Sequence, residues 1–285
     1  MENILEVQNL RKEYKDFTLK DISFNLKKGY IMGFIGPNGA GKTTTIKLML
    51  NLIQKDSGQI KIFGKNHKKN EREIKDRIGF VFDKNYYYEE LTLKDMKRII
   101  APLYSQWDNQ MFNQYIERFN LPINQKIKEF SKGMQMKASL AVALSHHADL
   151  LVMDEPTSGL DPVIRSELLD ILGDFIQDEQ KAVFFSTHIT SDLDKIADYV
   201  TFIDNGEIVL SSTKDEILDN YGLVKGRKEL LNSQTKEIFV GVDENSFGFE
   251  GLVTDRGEAK KVLGDEIIIE KPSLEDIMLY QIKRS

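Results

Sequence analysis

Gly36-Pro37-Asn38-Gly39-Ala40-Gly41-Lys42-Thr43-Thr44 is the stretch that decides the fold of this chain. From Gly36 to Thr43 it fits the pattern G-x-x-x-x-G-K-[ST]. An apolar run, Tyr30 to Ile35, leads into it and reads as a strand. Behind it apolar residues fall at Ile46, Met49, Leu50 and Ile53, the i, i+3, i+4, i+7 spacing of a helix. Glycines between a strand and a helix let backbone N–H groups close around phosphate oxygens. The helix N-terminus adds a dipole that favours an anion. Lys42 is thereby expected to reach the β- and γ-phosphates of a nucleotide, and the Thr43 hydroxyl to ligate Mg²⁺.

Leu150-Leu151-Val152-Met153-Asp154-Glu155 is the second element of the same chemistry. Four apolar residues of a buried strand deliver two carboxylates to its C-terminal edge, where ligands sit in parallel sheets. Asp154 is expected to hold Mg²⁺, mostly through water, and Glu155 to polarise an attacking water.

Around these two motifs the chain organises itself. Ile4 to Val7, Phe17 to Phe24, Ile60 to Phe63 and Ile78 to Phe82 read as further strands. Residues 84–148 change to helical periodicity and read as an insertion between core strands. Strand–helix passes follow, with Asp161 as cap and Pro162 at the first position of one helix. A second helix is expected around Ser191 to Ala197. Asn205-Gly206 marks a hairpin between Val200 to Ile203 and Glu207 to Leu210. Alternating strands and helices predict a mostly parallel sheet. Beyond residue 212 the pattern loosens into strand candidates at Glu237 to Val242 and Glu266 to Ile269. A last helix opens at Ser273, with Asp276 three residues on. Residues 213–285 are therefore expected to form a small separate α+β unit.

Composition narrows the classes. At about 150 residues per domain, 285 residues suggest two. Hydrophobic residues at 41% and charged residues at 29% disfavour both disorder and a membrane class. No apolar run approaches the roughly 18 residues of a membrane span. The N-terminus lacks a signal-like segment, so a cytoplasmic location is expected. With no cysteine, thiolate catalysis, disulfides and iron–sulfur ligation are excluded. A net charge of −6 argues against a nucleic-acid partner held by general basicity.

With both motifs in place, the chain resembles the nucleotide-binding subunit of an ATP-binding cassette (ABC) transporter. Further marks of that family stand in order over residues 1–212. Ser131-Lys132-Gly133-Met134-Gln135 occupies the place of the family signature, usually Ser-Gly-Gly-Gln. Ser158-Gly159-Leu160-Asp161 matches its D-loop, His188 its switch histidine, and Tyr14 the aromatic that stacks on adenine. The resemblance implies a P-loop NTPase (RecA-like) core of class α/β. It adds an N-terminal antiparallel β subdomain, a helical subdomain at about 84–148 and a C-terminal extension at 213–285. It also implies ATP and Mg²⁺ as cofactors and an ATPase whose two subunits, as homodimer or heterodimer, sandwich two ATPs head to tail. In that arrangement Ser131, Gly133, Met134, Gln135 and Asp161 serve the partner's nucleotide. Ser131 can also cap its helix, and Gly133 permits close backbone approach. Two positions depart from the family. Asp83 stands where a glutamine usually senses Mg²⁺, and is expected to act through water on the metal. Lys132 and Met134 replace the signature's second and fourth residues.

The absence of a span in a chain with one phosphate loop implies a separate membrane permease subunit, with this chain peripheral on the inner face of the cell membrane. Tyr86-Tyr87-Tyr88-Glu89-Glu90-Leu91 is an aromatic stretch suited to docking it. The ending, Lys271 to Leu279, resembles exporter ATPases, and the Ser-Lys-Gly-Met signature with Asp83 their antibiotic- and peptide-export branch. The alternative is a soluble cassette ATPase without a membrane partner, such as an iron–sulfur assembly type. A GTPase is disfavoured because no Asn-Lys-x-Asp motif occurs.

Overall fold

A computed structural model describes residues 2–83 and 88–284. The chain starts with β1 (Asn3–Glu13) and β2 (Thr18–Lys27), then β3 (Ile31–Ile35) and helix α1 (Lys42–Met49). Next come β4 (Ser57–Ile62), the short β5 (Lys65–Asn66), α2 (Glu71–Asp76) and β6 (Ile78–Val81). The helical stretch holds α3 (Leu93–Ile100), α4 (Asn109–Arg118) and α5 (Lys132–Leu144). The chain re-enters the sheet with β7 (Leu150–Asp154), α6 (Pro162–Phe175), β8 (Ala182–Thr187), α7 (Thr190–Ile196), β9 (Tyr199–Asp204) and β10 (Glu207–Thr213). It ends with α8 (Lys214–Asn220), β11 (Gly222–Gly226), α9 (Ser233–Lys236), β12 (Phe239–Glu244), β13 (Phe249–Val253), α10 (Arg256–Leu263), β14 (Ile268–Glu270) and α11 (Leu274–Arg284).

The central sheet has the order β10-β9-β3-β8-β7-β6 and is parallel except for β10. Its middle strands β3, β7 and β8 are buried along their whole length because both faces are covered. Side chains alternate: Met32, Phe34, Leu150, Val152, Ala182 and Phe184 face one core. Ile31, Ile35, Leu151, Met153, Val183 and Phe185 face the other. The first core lies under the antiparallel sheet β2-β1-β4-β5. There Phe24, Phe34 and Phe184 meet with ring centroids 5.4–5.7 Å apart, joining the two sheets. Each buried ring contributes on the order of 1.5–3 kcal/mol by leaving water. The second core is shared with α5, α6 and α7. This architecture is that of a P-loop NTPase with an antiparallel sheet on one face and an inserted group of helices.

The capping residues that the sequence marks stand where expected. Asp161 accepts from Val163 N and Ile164 N at 3.0 Å each, starting α6. Asn205 (φ 46°) and Gly206 (φ 78°) turn the β9–β10 hairpin. The last sheet, β12-β13-β11-β14, is antiparallel. Its helix α11 packs back on the main body: Leu274 and Ile277 meet Ile35, Leu193, Val200 and Phe202 around one small apolar cavity. Among the described residues no helix is long and apolar enough to cross a membrane.

Candidate functional site

Parallel pairing builds the site. Ile35 lies beside Thr187, and Asp154 beside Ser186, so the C-terminal ends of β3, β7 and β8 open at one edge. From that edge emerge Gly36 to Thr44, Glu155 and His188.

The loop after β3 is shaped by close approach. A Cβ on Gly36 would lie 2.1 Å from the Ile203 carbonyl oxygen, so no side chain fits there. Gly41, at φ 115°, turns the chain into α1 in a region that L side chains avoid. Among the described residues, no backbone carbonyl is seen to accept from the amides of Gly39, Gly41, Lys42, Thr43 or Thr44. Ala40 N is turned inward instead, bonding Pro37 O. Lys42 is only 5% exposed. Its ammonium donates to Gly36 O at 2.7 Å and Pro37 O at 3.1 Å, and stands 3.1 Å from Glu155 Oε1.

The two carboxylates are held differently. Asp154 accepts from Thr43 Oγ1 at 2.8 Å and Ser186 Oγ at 2.7 Å. Burial pushes its carboxyl above the ordinary range against these two hydroxyls, and the charges of Asp83 and Glu155 add to the rise. Glu155 sits at φ 50°, a conformation that costs about 1 kcal/mol for a residue with a Cβ. Its N–H donates to Ser186 O at 3.2 Å and Ser186 Oγ at 3.0 Å, which pins that conformation. Oε2 lies 2.7 Å from His188 Nδ1. Oε1 is buried 3.1 Å from the Lys42 ammonium and accepts no hydrogen bond.

These features fit a nucleotide phosphate with a hard divalent cation. An anion would take over the Lys42 ammonium, now spent on its own loop, and the unclaimed loop amides. The donors Thr43, Asp154 and Asp83 are all oxygen, the set that Mg²⁺ prefers. Among the described residues no cluster of three or more His, Asp or Glu could hold a metal by itself.

The sequence profile of the family described as "ABC transporter" matches residues 19–158. The bacitracin transport ATP-binding protein of Bacillus licheniformis is 34% identical over 244 residues, covering 84% of this chain and 78% of that protein. The chain belongs to the ABC transporter family. It is an ATP-binding subunit and an ATPase. The lantibiotic transport ATP-binding protein of Streptococcus pyogenes is 31% identical over 79% of this chain and all of its own length. Among solved structures, an ATP-binding subunit of an ABC transporter superposes with a TM-score of 0.69 at 28% identity, covering 76% of this chain and 92% of its own. A dimeric ATP-binding cassette in a post-hydrolysis state, bound to ADP and Pi, shares the fold at 21% identity, with a TM-score of 0.66 over 73% of this chain and 98% of its own.

Within this ABC ATPase the expected residues fall into two groups. Gly36 to Thr44, Asp154, Glu155 and His188 come together, with Asp83 half-buried and near enough for its charge to act on Asp154. Ser131, Gly133, Met134, Gln135 and Asp161 form a second group, and no hydrogen bond or ion pair among the described residues joins it to the phosphate loop. Ser131 Oγ accepts from Met134 N at 3.2 Å and caps α5. Gln135 is turned inward, Nε2 donating to Phe130 O at 3.3 Å. Tyr14 is 44% exposed, and its N–H donates to Phe17 O at 2.8 Å to close a turn.

That turn leans on the loop through Phe17, whose ring comes within 3.0 Å of a Cβ placed on Gly41. From the sequence Phe17 reads only as the start of a strand. Ser186, which donates to Asp154 Oδ1 and accepts from the Glu155 N–H, carries no signal in the sequence of its own, and only the parallel pairing of β7 with β8 sets it opposite Asp154. Of the aromatic docking stretch, Tyr86 and Tyr87 lie outside the described residues, while Tyr88 is 78% exposed.

Asp83 has a test with two opposite signs. Asp154 is charged at a cost in the empty protein, because its raised pKa favours the protonated form. Asp83→Asn removes one neighbouring negative charge. The empty protein at pH 7 is expected to gain up to about 1 kcal/mol. The cation loses an attractor, so half-maximal ATPase activity should need about three- to fivefold more Mg²⁺. Melting curves without nucleotide and a Mg²⁺ titration check the two arms. Unchanged behaviour in both removes Asp83 from the site.

Proposed function

We propose that this ATPase hydrolyses Mg²⁺-bound ATP as one of a head-to-tail pair and drives a separate membrane subunit that exports an antibiotic- or peptide-like substrate. The observation that carries the hydrolytic part is Glu155: Oε2 on His188, Oε1 buried with no donor, one residue beyond Asp154. A carboxylate oxygen so placed can accept a proton from a water attacking the γ-phosphate. Lys42 and the amides of Gly39, Gly41, Thr43 and Thr44 hold the β- and γ-phosphates. Tyr14 stacks on adenine, and His188 keeps Glu155 oriented. Thr43 and Asp154 would hold Mg²⁺, with Asp83 acting through water; when bound, the ion neutralises charge developing on the phosphate oxygens.

The second group supports the pairing. Ser131, Gly133, Met134 and Asp161 stand at the capped starts of α5 and α6, with no hydrogen bond or ion pair to this chain's own phosphate loop among the described residues. They serve the nucleotide of a second ATPase subunit, identical or related. Residues 1–212 act as the ATPase unit and 213–285 as its extension. The chain works at the inner face of the cell membrane, where the permease subunit holds it. The bacitracin and lantibiotic transport relatives favour export of such molecules over a soluble cassette without a membrane partner.

Recovery from detergent-solubilised membranes tests this reading. The tagged chain, expressed in its own host, is expected to co-purify with a polytopic membrane protein at one-to-one or two-to-two stoichiometry. Recovery with soluble partners alone overturns the exporter reading.

A further inference from the structure

Gly133 in α5 and Gly159 in the turn entering α6 are each covered by a side chain from the other segment. A Cβ on Gly133 would lie 2.4 Å from Ile164 Cδ1, while the next atoms of Ile164, Cγ2 and Cγ1, stand at 3.4 and 3.6 Å. A Cβ on Gly159 would lie 2.9 Å from Lys132 Nζ and 3.6 Å from its Cδ. Gly159 has φ 66°, so any side chain there is strained as well. The residue beside one glycine thus covers the other, and the two segments interlock. Lys137 Nζ and Glu167 Oε2, 2.7 Å apart, continue the seam along the two helices.

The next residue extends the contact to the reacting groups. Arg165 Nε donates to Asp192 Oδ1 at 2.6 Å, and its Nη2 to Ser191 Oγ at 2.6 Å. Asp192 is fully buried, and its Oδ2 accepts from Thr157 Oγ1 at 2.6 Å and Thr187 Oγ1 at 3.5 Å. Thr157 lies two residues beyond Glu155, and Thr187 immediately precedes His188. A buried carboxylate with one cation and two hydroxyls is a rigid node, because losing any donor leaves charge uncompensated.

We infer that Ile164 and Lys132 are positioning residues of the ATPase, locking the first turn of α5 to the segment that Asp192 ties to Glu155 and His188. A shift of Ser131 is thereby passed on to the start of α6. The inference rests on the assignment of Ser131 and Glu155 to ATP hydrolysis proposed above. It departs from a simpler account of Gly133, in which the glycine only clears space for a nucleotide.

A rescue experiment on the assembled transporter separates the two accounts. Gly133→Ala drives a methyl into Ile164 Cδ1. Ile164→Val deletes that atom and leaves ordinary contacts at 3.4 and 3.6 Å. Gly133→Ala is expected to lower kcat about tenfold with KM for ATP changed less than threefold. Ile164→Val alone empties the space over Gly133 and should lower kcat about three- to fivefold, while the double variant, in which the added methyl refills it, should return to within about threefold of the parent. If Gly133→Ala lowers the melting temperature, Ile164→Val should restore that too. A harmless Gly133→Ala, or a double variant as impaired as the single one, overturns the proposal. For Lys132, Met keeps the stem over Gly159 and Gly removes it. Lys132→Met should keep kcat within twofold while Lys132→Gly loses several-fold. Equal loss in both would mean that the ammonium acts by its charge, and would remove Lys132 from the lock. Failure of the underlying ATPase assignment looks different: Glu155→Gln would then retain turnover whatever the Gly133 series shows.

Discussion

Lys42→Ala is expected to lower ATP affinity by about 30- to 300-fold and turnover by at least about a thousandfold. A charge-assisted contact to phosphate is among the strong ones, on the order of 2–3 kcal/mol when desolvated, and transition-state charge on the phosphate raises the loss in rate. The structure adds a cost not visible in the motif. The Lys42 ammonium is the only cation recorded against Glu155 Oε1 among the described residues, at 3.1 Å and buried. Deleting it strands that carboxylate, so the empty protein should also lose roughly 1–3 kcal/mol of stability. Titration with a fluorescent ATP analogue, an ATPase assay and a melting curve read the three effects. Near-normal turnover in the folded variant would falsify the phosphate-loop assignment.

Glu155→Gln should separate binding from hydrolysis. The amide cannot take a proton from water, so turnover should fall by about two to four orders of magnitude. ATP binding should not fall with it. In the empty protein Glu155 Oε1 competes with phosphate for Lys42, and its charge opposes a nearby anion. Neutralising it frees the ammonium, so ATP should bind equally well or a few-fold tighter. ATP that is bound but not consumed should hold two subunits together. Size-exclusion chromatography is expected to show a dimer with Mg²⁺-ATP and a monomer without it, tested with the permease present if the isolated subunits stay apart. Retained turnover sinks the role of Glu155. A monomer with ATP bound and the permease supplied sinks the head-to-tail pairing.

Much of this was legible because the signals are local. Gly36 to Thr43 carries strand, turn and helix start in one stretch, Asp161-Pro162 is a helix start by itself, and Asn205-Gly206 is a hairpin by itself. Where several local rules agree, the fold follows. The misses are places where distant residues decide. Helix α1 ends at Met49, although the apolar spacing runs on to Ile53, because Asn51 turns to φ 54°. β11 and β13 were overlooked because Gly222, Gly226 and Gly251 interrupt their apolar pattern, yet the strands pair residue for residue. Asp192 stands on a short helix with nothing in its neighbours to mark it as buried. Arg165 and Thr157, far away in sequence, make its burial tolerable. His146, beside His147 just past the end of α5, carries no sequence signal of its own environment. It is buried against Tyr104, with both ring nitrogens on carbonyl oxygens, those of Val142 and Ile78. The interlock at Gly133 joins residues 31 positions apart, beyond the reach of any periodicity.

The packing of α11 bears on how this ATPase can be cut. Ile35 is the last residue before Gly36, and with Val200 and Phe202 it is kept dry by Leu274 and Ile277 from the far end of the chain. A fragment stopping near residue 212 would contain the phosphate loop and the Asp154–Glu155 strand end and still turn this apolar strip outward. Contiguous strips of that kind drive self-association. A minimal soluble ATPase therefore has to keep the last helix, or carry polar replacements at Val200 and Phe202, because the floor beneath the first motif is laid by the last turns of the chain.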